Sequence, residues 1–208
     1  MDDTLVATAA LWRQADEHLF HLIGSEWSAE IAQQYKGMNS LDVAATIHRL
    51  LRPAASLEIC QKILREALFA AFDANPPEPM PGAVECIQRL RGLAPLALAS
   101  GSPLPLIESV LARLELRSAF TCLISSESVP RGKPFPDVFL AAAAKAGMQP
   151  QTCLVVEDSL VGIRAARAAG MVCFAIPSSQ SQEIATEADR TFASLKEIYP
   201  QTISLMPN

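Results

Sequence analysis

The sequence has few cysteines, and it contains no hydrophobic run long enough to cross a membrane. Its five cysteines are dispersed, with no CxxC or CxxH spacing: Cys60, Cys86, Cys122, Cys153 and Cys173. An odd and scattered set argues against a disulfide framework or a zinc site and is typical of core residues in a reducing compartment. Met1 is followed at once by Asp2 and Asp3, so no signal peptide is expected. These absences predict a cytoplasmic protein.

Positive charge is also in short supply, with 17 Lys and Arg against 22 Asp and Glu and a net charge of -5. Because no basic block offsets this balance, neither nucleic acid nor an anionic membrane is expected as a partner. A small anionic substrate remains compatible, since its site needs only one or two local cations. Half of the 208 residues are hydrophobic and 19% are charged, which predicts a globular chain with one core and a smaller second unit. A monomer is expected.

Helical periodicity dominates the first third of the chain. Leu11, Ala15 and Leu19 mark one face of a helix that Gly24 ends. Three further helices are expected: a short one after Ser28, one over 41–51 with Ser40 as its N-cap, and one over 57–72. Four helices without a strand predict a helical unit over residues 8–75. The segment 75–82, with four prolines and a glycine, reads as the linker that follows it.

Beyond the linker, helical and strand patterns alternate. The expected elements are a helix over 82–91, a strand over 95–99, a helix over 103–113, a strand over 120–124, a helix over 136–146, a strand over 152–156, a helix over 159–169 and a strand over 172–176. Such alternation predicts βαβ units and a Rossmann-like parallel sheet covered on both faces. The fold class is therefore α/β with an inserted α-helical unit.

Two adjacent carboxylates follow the most apolar of these strands. The run Leu154 to Val156 ends in Glu157 and Asp158, and an Ala-rich helical pattern continues to Gly170. An open α/β sheet holds its ligands at the carboxyl ends of its strands, and paired carboxylates repel each other unless a cation or proton lies between them. The pair therefore indicates a hard-metal site; the alternative is that Asp158 and Ser159 only cap the next helix.

Two other strand or loop ends carry groups suited to an anion. Ser100 and Gly101 stand between a strand and a helix, where a hydroxyl and backbone N–H groups can hold phosphate. Lys133 lies in a loop stiffened by two prolines and suits a phosphate counter-ion. Taken singly, an ordinary strand-to-helix turn and a solvated surface lysine explain these residues as well.

In combination, these residues resemble the four motifs of the haloacid dehalogenase (HAD) superfamily of phosphotransferases. The counterparts occur in the family's order as Asp2-Asp3-Thr4, Ser100, Lys133 and Glu157-Asp158. A helical insert directly after the first motif resembles the cap of the β-phosphoglucomutase and sugar-phosphatase branch. The resemblance implies an α/β core over 1–7 and 76–208 with a helical cap over 8–75.

The resemblance also implies a role for each motif residue. An Asp two residues before Asp2 would attack phosphorus, and Asp2 would act as general acid and base. Ser100, Gly101 and Lys133 would bind the phosphate, with Lys133 counted among the catalytic groups. The Asp2 carbonyl, Glu157 and Asp158 would hold Mg²⁺.

The position of the nucleophile does not exist in this sequence. Asp3 cannot replace it, because a shift of one residue turns the side chain the other way. We therefore expect that the sequence starts a few residues late, at an internal Met, and that the first strand of the sheet is also missing. A sheet without its middle strand would leave unpaired backbone groups and a gap in the core.

The expected function is a Mg²⁺-dependent phosphatase acting on a small phosphorylated metabolite, most readily a sugar phosphate. The cap loop with Lys36, Gly37 and Asn39 would face the substrate, although it also reads as an exposed loop between helices. A phosphomutase of the β-phosphoglucomutase type shares all four motifs and is the first alternative. A non-catalytic HAD-like binding module is the second, and the missing nucleophile is its only support.

Overall fold

The first third of the chain is helical, as the sequence predicts. The computed structural model describes residues 1–177 and 181–203, with side chains as far as 199. The first four helices are α1 (Ala9–Leu22), α2 (Ala29–Gln33), α3 (Ser40–Leu51) and α4 (Leu57–Ala74). Gly24 follows α1 with a left-handed φ of 74°, which explains why that helix stops there.

The start of α3 differs by one residue from the prediction. Asn39, not Ser40, is its N-cap: the Asn39 side chain accepts a hydrogen bond of 2.9 Å from the Asp42 N–H. The prediction of Ser40 was wrong because Ser40 is already helical. Its hydroxyl donates instead to Glu127, outside the four-helix region.

Helix α1 packs on α4, and α4 packs on α3. The shared interior is apolar and includes Leu11, Ala15, Leu19, Phe20, Val43, Ile47, Leu64, Leu68 and Phe72. Each helix is amphipathic, so its apolar face is buried only when another helix covers it. Helices α1, α3 and α4 therefore support one another, while the proposed domain limits stay a prediction.

The remaining chain alternates between helices and parallel strands. In order it forms α5 (Ala83–Leu90), β1 (Ala97–Ser100), α6 (Leu104–Arg113), β2 (Cys122–Ser125), α7 (Asp137–Ala146), β3 (Leu154–Glu157), α8 (Leu160–Ala168), β4 (Val172–Ala175), α9 (Gln182–Glu187), β5 (Arg190–Thr191) and α10 (Leu195–Ile203). Every strand pair is parallel. The predicted α/β class is confirmed.

The strands form two separate sheets. One has the order β1-β2, with Ala97 opposite Cys122, and the other has the order β3-β4-β5, with Leu154 opposite Val172. Within residues 1–177 and 181–203, no hydrogen-bonded ladder joins β1 to β3. Short apolar side chains of α7 and α8 cover the strands and keep the backbone close to the helices.

The segment before α1 crosses the core as a tight turn. Its apolar residues Met1, Leu5 and Val6 are buried in the same cluster as α1 and α4. Val6 bridges Asp2 on one side and Pro79 of the linker on the other. In the part of the chain that the structure describes, no helix is long and apolar enough to cross a membrane.

Candidate active site

A cavity of about 340 Å³ lies between the four-helix region and the carboxyl ends of β1 and β3. Its α/β side carries the residues predicted for catalysis, phosphate and metal: Asp2, Ser100, Gly101, Lys133, Glu157 and Asp158. Its helical side includes Lys36 and Gly37 of the predicted substrate loop. Residues from five separate parts of the sequence therefore meet at one cavity.

Asp2 is held by three donors. The hydroxyls of Ser100 and Ser102 each donate to its Oδ2 at 2.9 Å, and the Trp12 indole N–H donates to its Oδ1 at 3.1 Å. Burial raises the pKa of the Asp2 carboxyl, and the three donors act against that rise because they favour the ionised form. Asp2 is therefore a carboxylate fixed in one orientation at the mouth of β1.

Asp3 has a structural role. Its Oδ1 accepts hydrogen bonds from the backbone N–H groups of Thr8 and Ala9, at 2.9 and 3.0 Å. These are free donors of the first turn of α1, and Thr8 itself supplies no side-chain cap. Asp3 therefore caps α1, although it also lines the cavity.

Lys133 and Glu157 form a buried ion pair. The Lys133 ammonium donates to Glu157 Oε1, and the Ser159 hydroxyl donates to Oε2 at 2.9 Å. Burial raises the pKa of Glu157, but the adjacent ammonium and the hydroxyl outweigh burial and hold that pKa below its usual range. The loop that carries Lys133 is thereby fixed against the end of β3, with its cation at the cavity wall.

Of the adjacent carboxyls of Glu157 and Asp158, that of Asp158 has fewer hydrogen-bonding and ionic partners. Thr4 donates to its Oδ1 at 2.7 Å, and no described residue donates to its Oδ2. Burial raises the pKa of Asp158, the negative charge of Glu157 raises it further, and the pKa lies at about 7. A half-buried carboxyl that has one hydrogen-bond donor and lies beside a second carboxylate is the environment that a divalent cation would relieve.

Hard oxygen donors therefore converge at a position suited to Mg²⁺. Asp158 and Asp2 line the same cavity, and the backbone carbonyl of Asp2 accepts one hydrogen bond, from the Thr4 N–H at 2.7 Å. Among the described residues, no group of three His, Cys, Asp or Glu side chains forms a ready-made metal cluster. Mg²⁺ usually keeps several waters and binds through one or two carboxylates, so the donor set fits that ion. The other predicted metal ligand, Glu157, forms its ion pair with Lys133.

The predicted substrate loop contacts the α/β part directly. A methyl group added at Gly37, where φ is 82°, would lie 2.6 Å from a methyl group of Val161. One added at Gly101 would lie 2.9 Å from the Met38 carbonyl oxygen. Two glycines thus allow the loop to approach the ends of β1 and β3. Asn39 caps α3 as described and is not among the residues that line the cavity.

Sequence reasoning missed several residues on the helical side of the cavity. These are Trp12, Asp16, Trp27 and Tyr35. On helical periodicity, Trp12 and Asp16 lie beside the apolar stripe of α1, so they read as boundary residues of an amphipathic helix. The available signal was a charged residue at position 16, next to a buried face, because a buried acid needs a partner or a ligand.

The family to which the chain belongs agrees with this geometry. Residues 1–170 match the family model described as haloacid dehalogenase-like hydrolase, and the chain belongs to this family. Membership confirms the predicted superfamily and the hydrolase class. It also explains why the four sequence motifs meet at one edge of the strands.

Two relatives are named as phosphatases. The chain is 30% identical to hexitol phosphatase B of Escherichia coli over 88% of its own length and 83% of that protein. It is 32% identical to the fructose-1-phosphate phosphatase YqaB of the same organism, over 82% of its length and 90% of that protein. The crystal structure of CbbY from Rhodobacter sphaeroides in complex with phosphate superposes with a TM-score of 0.83 at 26% identity, covering 95% of this chain and 93% of that one.

Proposed function

We propose that the protein hydrolyses phosphate monoesters of small metabolites, sugar phosphates above all, with Mg²⁺ as cofactor. The observation that carries this proposal is the convergence of Asp2, Ser100, Lys133 and Asp158 on one cavity. Two relatives that align over most of this chain are named as phosphatases of a hexitol phosphate and of fructose 1-phosphate, which supports the substrate class.

The serine at the end of β1 would bind the phosphoryl group. The Ser100 hydroxyl now donates to Asp2, and a phosphoryl oxygen is an acceptor of the same kind. When phosphate takes that hydrogen bond, the Asp2 carboxylate loses one donor and is available to the ester oxygen. Lys133 adds positive charge at the cavity wall, which attracts a phosphate dianion.

Asp2 would move the proton. Phosphate that takes the Ser100 hydrogen bond and brings its negative charge beside Asp2 would raise the pKa of that carboxylate, which would then take up a proton from solvent. The protonated Asp2 would give this proton to the leaving oxygen in the first step, and the resulting carboxylate would accept a proton from the attacking water in the second. Bound Mg²⁺, held by Asp158 and the Asp2 carbonyl, would supply charge neutralisation around the transferring phosphoryl group. The attacking carboxylate that the resemblance places two residues before Asp2 stays a prediction, as do the monomeric state and the cytoplasmic location.

A phosphate-release screen tests the proposal. The full-length gene product is incubated with hexitol, hexose and triose phosphates in the presence of Mg²⁺, and both free phosphate and isomerised sugar phosphate are measured. We expect free phosphate to form and Ser100→Ala to lower kcat/KM by about 10²-fold or more. The same change at the exposed Ser109 is the matched control. Isomerised sugar phosphate with little free phosphate would replace hydrolysis by phosphomutase activity, and absence of both products would refute the proposal.

A further inference from the structure

The four-helix region is joined to the α/β part by two neighbouring segments of chain, one that enters α1 and one that follows α4. The Ala7 N–H donates to the Glu78 carbonyl at 2.9 Å. The Met80 N–H donates to the Leu5 carbonyl, also at 2.9 Å. Elsewhere in the described ranges, α1, α3 and α4 pack on one another, and none of them packs broadly on a strand or helix of the α/β part. A unit attached in this way can rotate about the paired segments unless other bonds hold it.

Glu127 forms a second connection between the two parts. It follows the end of β2 by two residues, and its backbone N–H donates to the Ser125 hydroxyl at 3.2 Å, which fixes it to that strand. Its Oε1 accepts a hydrogen bond from the Ser40 hydroxyl of α3, and its Oε2 accepts one of 2.9 Å from the Arg65 guanidinium of α4. One carboxylate of the α/β part therefore holds two helices of the four-helix region.

The loop that carries Glu127 also forms part of the cavity wall. Lys133 of this loop lines the cavity. Gly132 beside it lies against the start of α3, where an added methyl group would overlap the Asn39 amide and the Asp42 carboxylate. Release of Glu127 would therefore separate the helical wall of the cavity from the wall that carries Lys133.

We propose that Glu127, Ser40 and Arg65 form a latch that holds the four-helix region closed over the cavity, and that the cavity opens to solvent when this latch breaks. Helices α3 and α4 pack on each other, so they move together when they are released. None of the three latch residues lines the cavity, so they act as positioning residues.

The strength of the latch depends on its charges. The Glu127 side chain is 14% exposed and that of Arg65 is 39% exposed, so water competes more for the guanidinium than for the carboxylate. The guanidinium also lies over the Phe69 ring, 5.5 Å from its centroid, which limits its motion. Hydrogen bonds between charged groups are stronger than neutral ones, so removal of one charge should raise the ratio of open to closed protein about fivefold to tenfold.

Quenching of tryptophan fluorescence by acrylamide measures the opening. The chain has two tryptophans, Trp12 and Trp27, and both line the cavity, so their fluorescence reports on its exposure to solvent. Glu127→Gln and Arg65→Gln should each raise the Stern–Volmer constant about twofold or more, because the open fraction rises. Arg65 is partly exposed, so Arg65→Gln tests the proposal even if Glu127→Gln folds poorly.

The same substitution at Arg164 supplies the matched control. Arg164→Gln breaks ion pairs with Glu183 and Glu187 within the α/β part, and none of these residues lines the cavity, so the quenching constant should stay at its wild-type value. In the double variant Glu127→Gln/Arg65→Gln, the ratio of open to closed protein should rise by less than the product of the two single effects, because both changes act on one ion pair.

Unchanged quenching in either variant that retains the far-UV circular dichroism of the wild type would overturn the proposal. An equal rise of the quenching constant in Arg164→Gln would also overturn it, because a general loosening of the fold would then explain the result. Because the measurement uses no substrate, its outcome is independent of the proposed function.

Discussion

The Asp16 carboxyl should make the stability of the protein depend on pH in a defined window. Burial raises its pKa from 3.8 to about 7, against the hydrogen bond from Tyr35 and the nearby indole of Trp27, and the charge of Glu17 adds to the rise. The folded protein therefore favours the protonated acid more than the unfolded chain does. Between the pKa of Asp16 in the unfolded chain and its pKa in the folded protein, ionisation of Asp16 stabilises the unfolded chain, so the free energy of unfolding falls as pH rises. Above about pH 7 the carboxyl is ionised in both states, and the free energy of unfolding falls no further on its account.

The size of this effect follows from the two pKa values. A folded pKa of about 7 and an unfolded pKa of about 4 correspond to a total cost of about 4 kcal/mol at high pH. Between pH 5 and pH 8 the same values give a loss of about 2.5 kcal/mol. Asn cannot ionise, so the Asp16→Asn variant should lack this loss.

Urea unfolding at several pH values measures this difference. The free energy of unfolding of wild-type protein should fall by about 2.5 kcal/mol relative to Asp16→Asn between pH 5 and pH 8. The variant should therefore be relatively more stable at pH 8 than at pH 5. The same carboxyl-to-amide change at the exposed Glu26 is the control. Parallel pH profiles for wild type and Asp16→Asn would refute the reasoning.

Three further predictions follow from the cavity walls. Gly37→Ala should destabilise the protein by about 1 to 3 kcal/mol more than Gly24→Ala. Both glycines have a left-handed φ, but only at Gly37 would an added methyl group meet another side chain. Equal losses of the free energy of unfolding in urea would contradict the close approach of the Gly37 loop. Lys133→Met should cost about 3 to 5 kcal/mol by leaving Glu157 buried without its cation, while the same change at the exposed Lys145 should cost less than about 0.5 kcal/mol. Chelation with EDTA should lower phosphate release by about 10²-fold or more, and added Mg²⁺ should restore it; unchanged turnover in EDTA would exclude the metal role.

The fold was largely predictable because its signals are local. Apolar periodicity and Gly24 define α1, and the run ending at Glu157 defines β3 to within two residues. The N-cap of α3 was misplaced because Asn39 and Ser40 are both good capping residues, and only the backbone conformation distinguishes them.

The site was predictable in part, for the same physical reason. Asp2, Ser100 and Lys133 stand at strand or loop ends, where polar side chains have no packing role and indicate chemistry. Asp16 and Trp27 are on or next to amphipathic helices, where helical spacing alone does not separate a cavity-lining residue from a packing residue. Their place in the cavity wall became visible only when the helices and strands were placed around one cavity.

The central claim is that this cavity is a phosphatase site in which Asp2 moves the proton. It is tested most directly by steady-state phosphate release from glucitol 6-phosphate in Mg²⁺, for the wild-type gene product and for Asp2→Asn. The amide oxygen of Asn can still accept the hydrogen bonds that Ser100 and Ser102 donate, while its NH₂ group would face the Trp12 indole N–H and lose that third hydrogen bond. The variant should therefore fold with a modest loss of stability, but it cannot donate or accept the catalytic proton. The account predicts phosphate release by the wild type and a kcat lower by about 10²-fold to 10⁴-fold in the variant. Equal turnover of the two proteins, or a wild type that releases no phosphate, would contradict it.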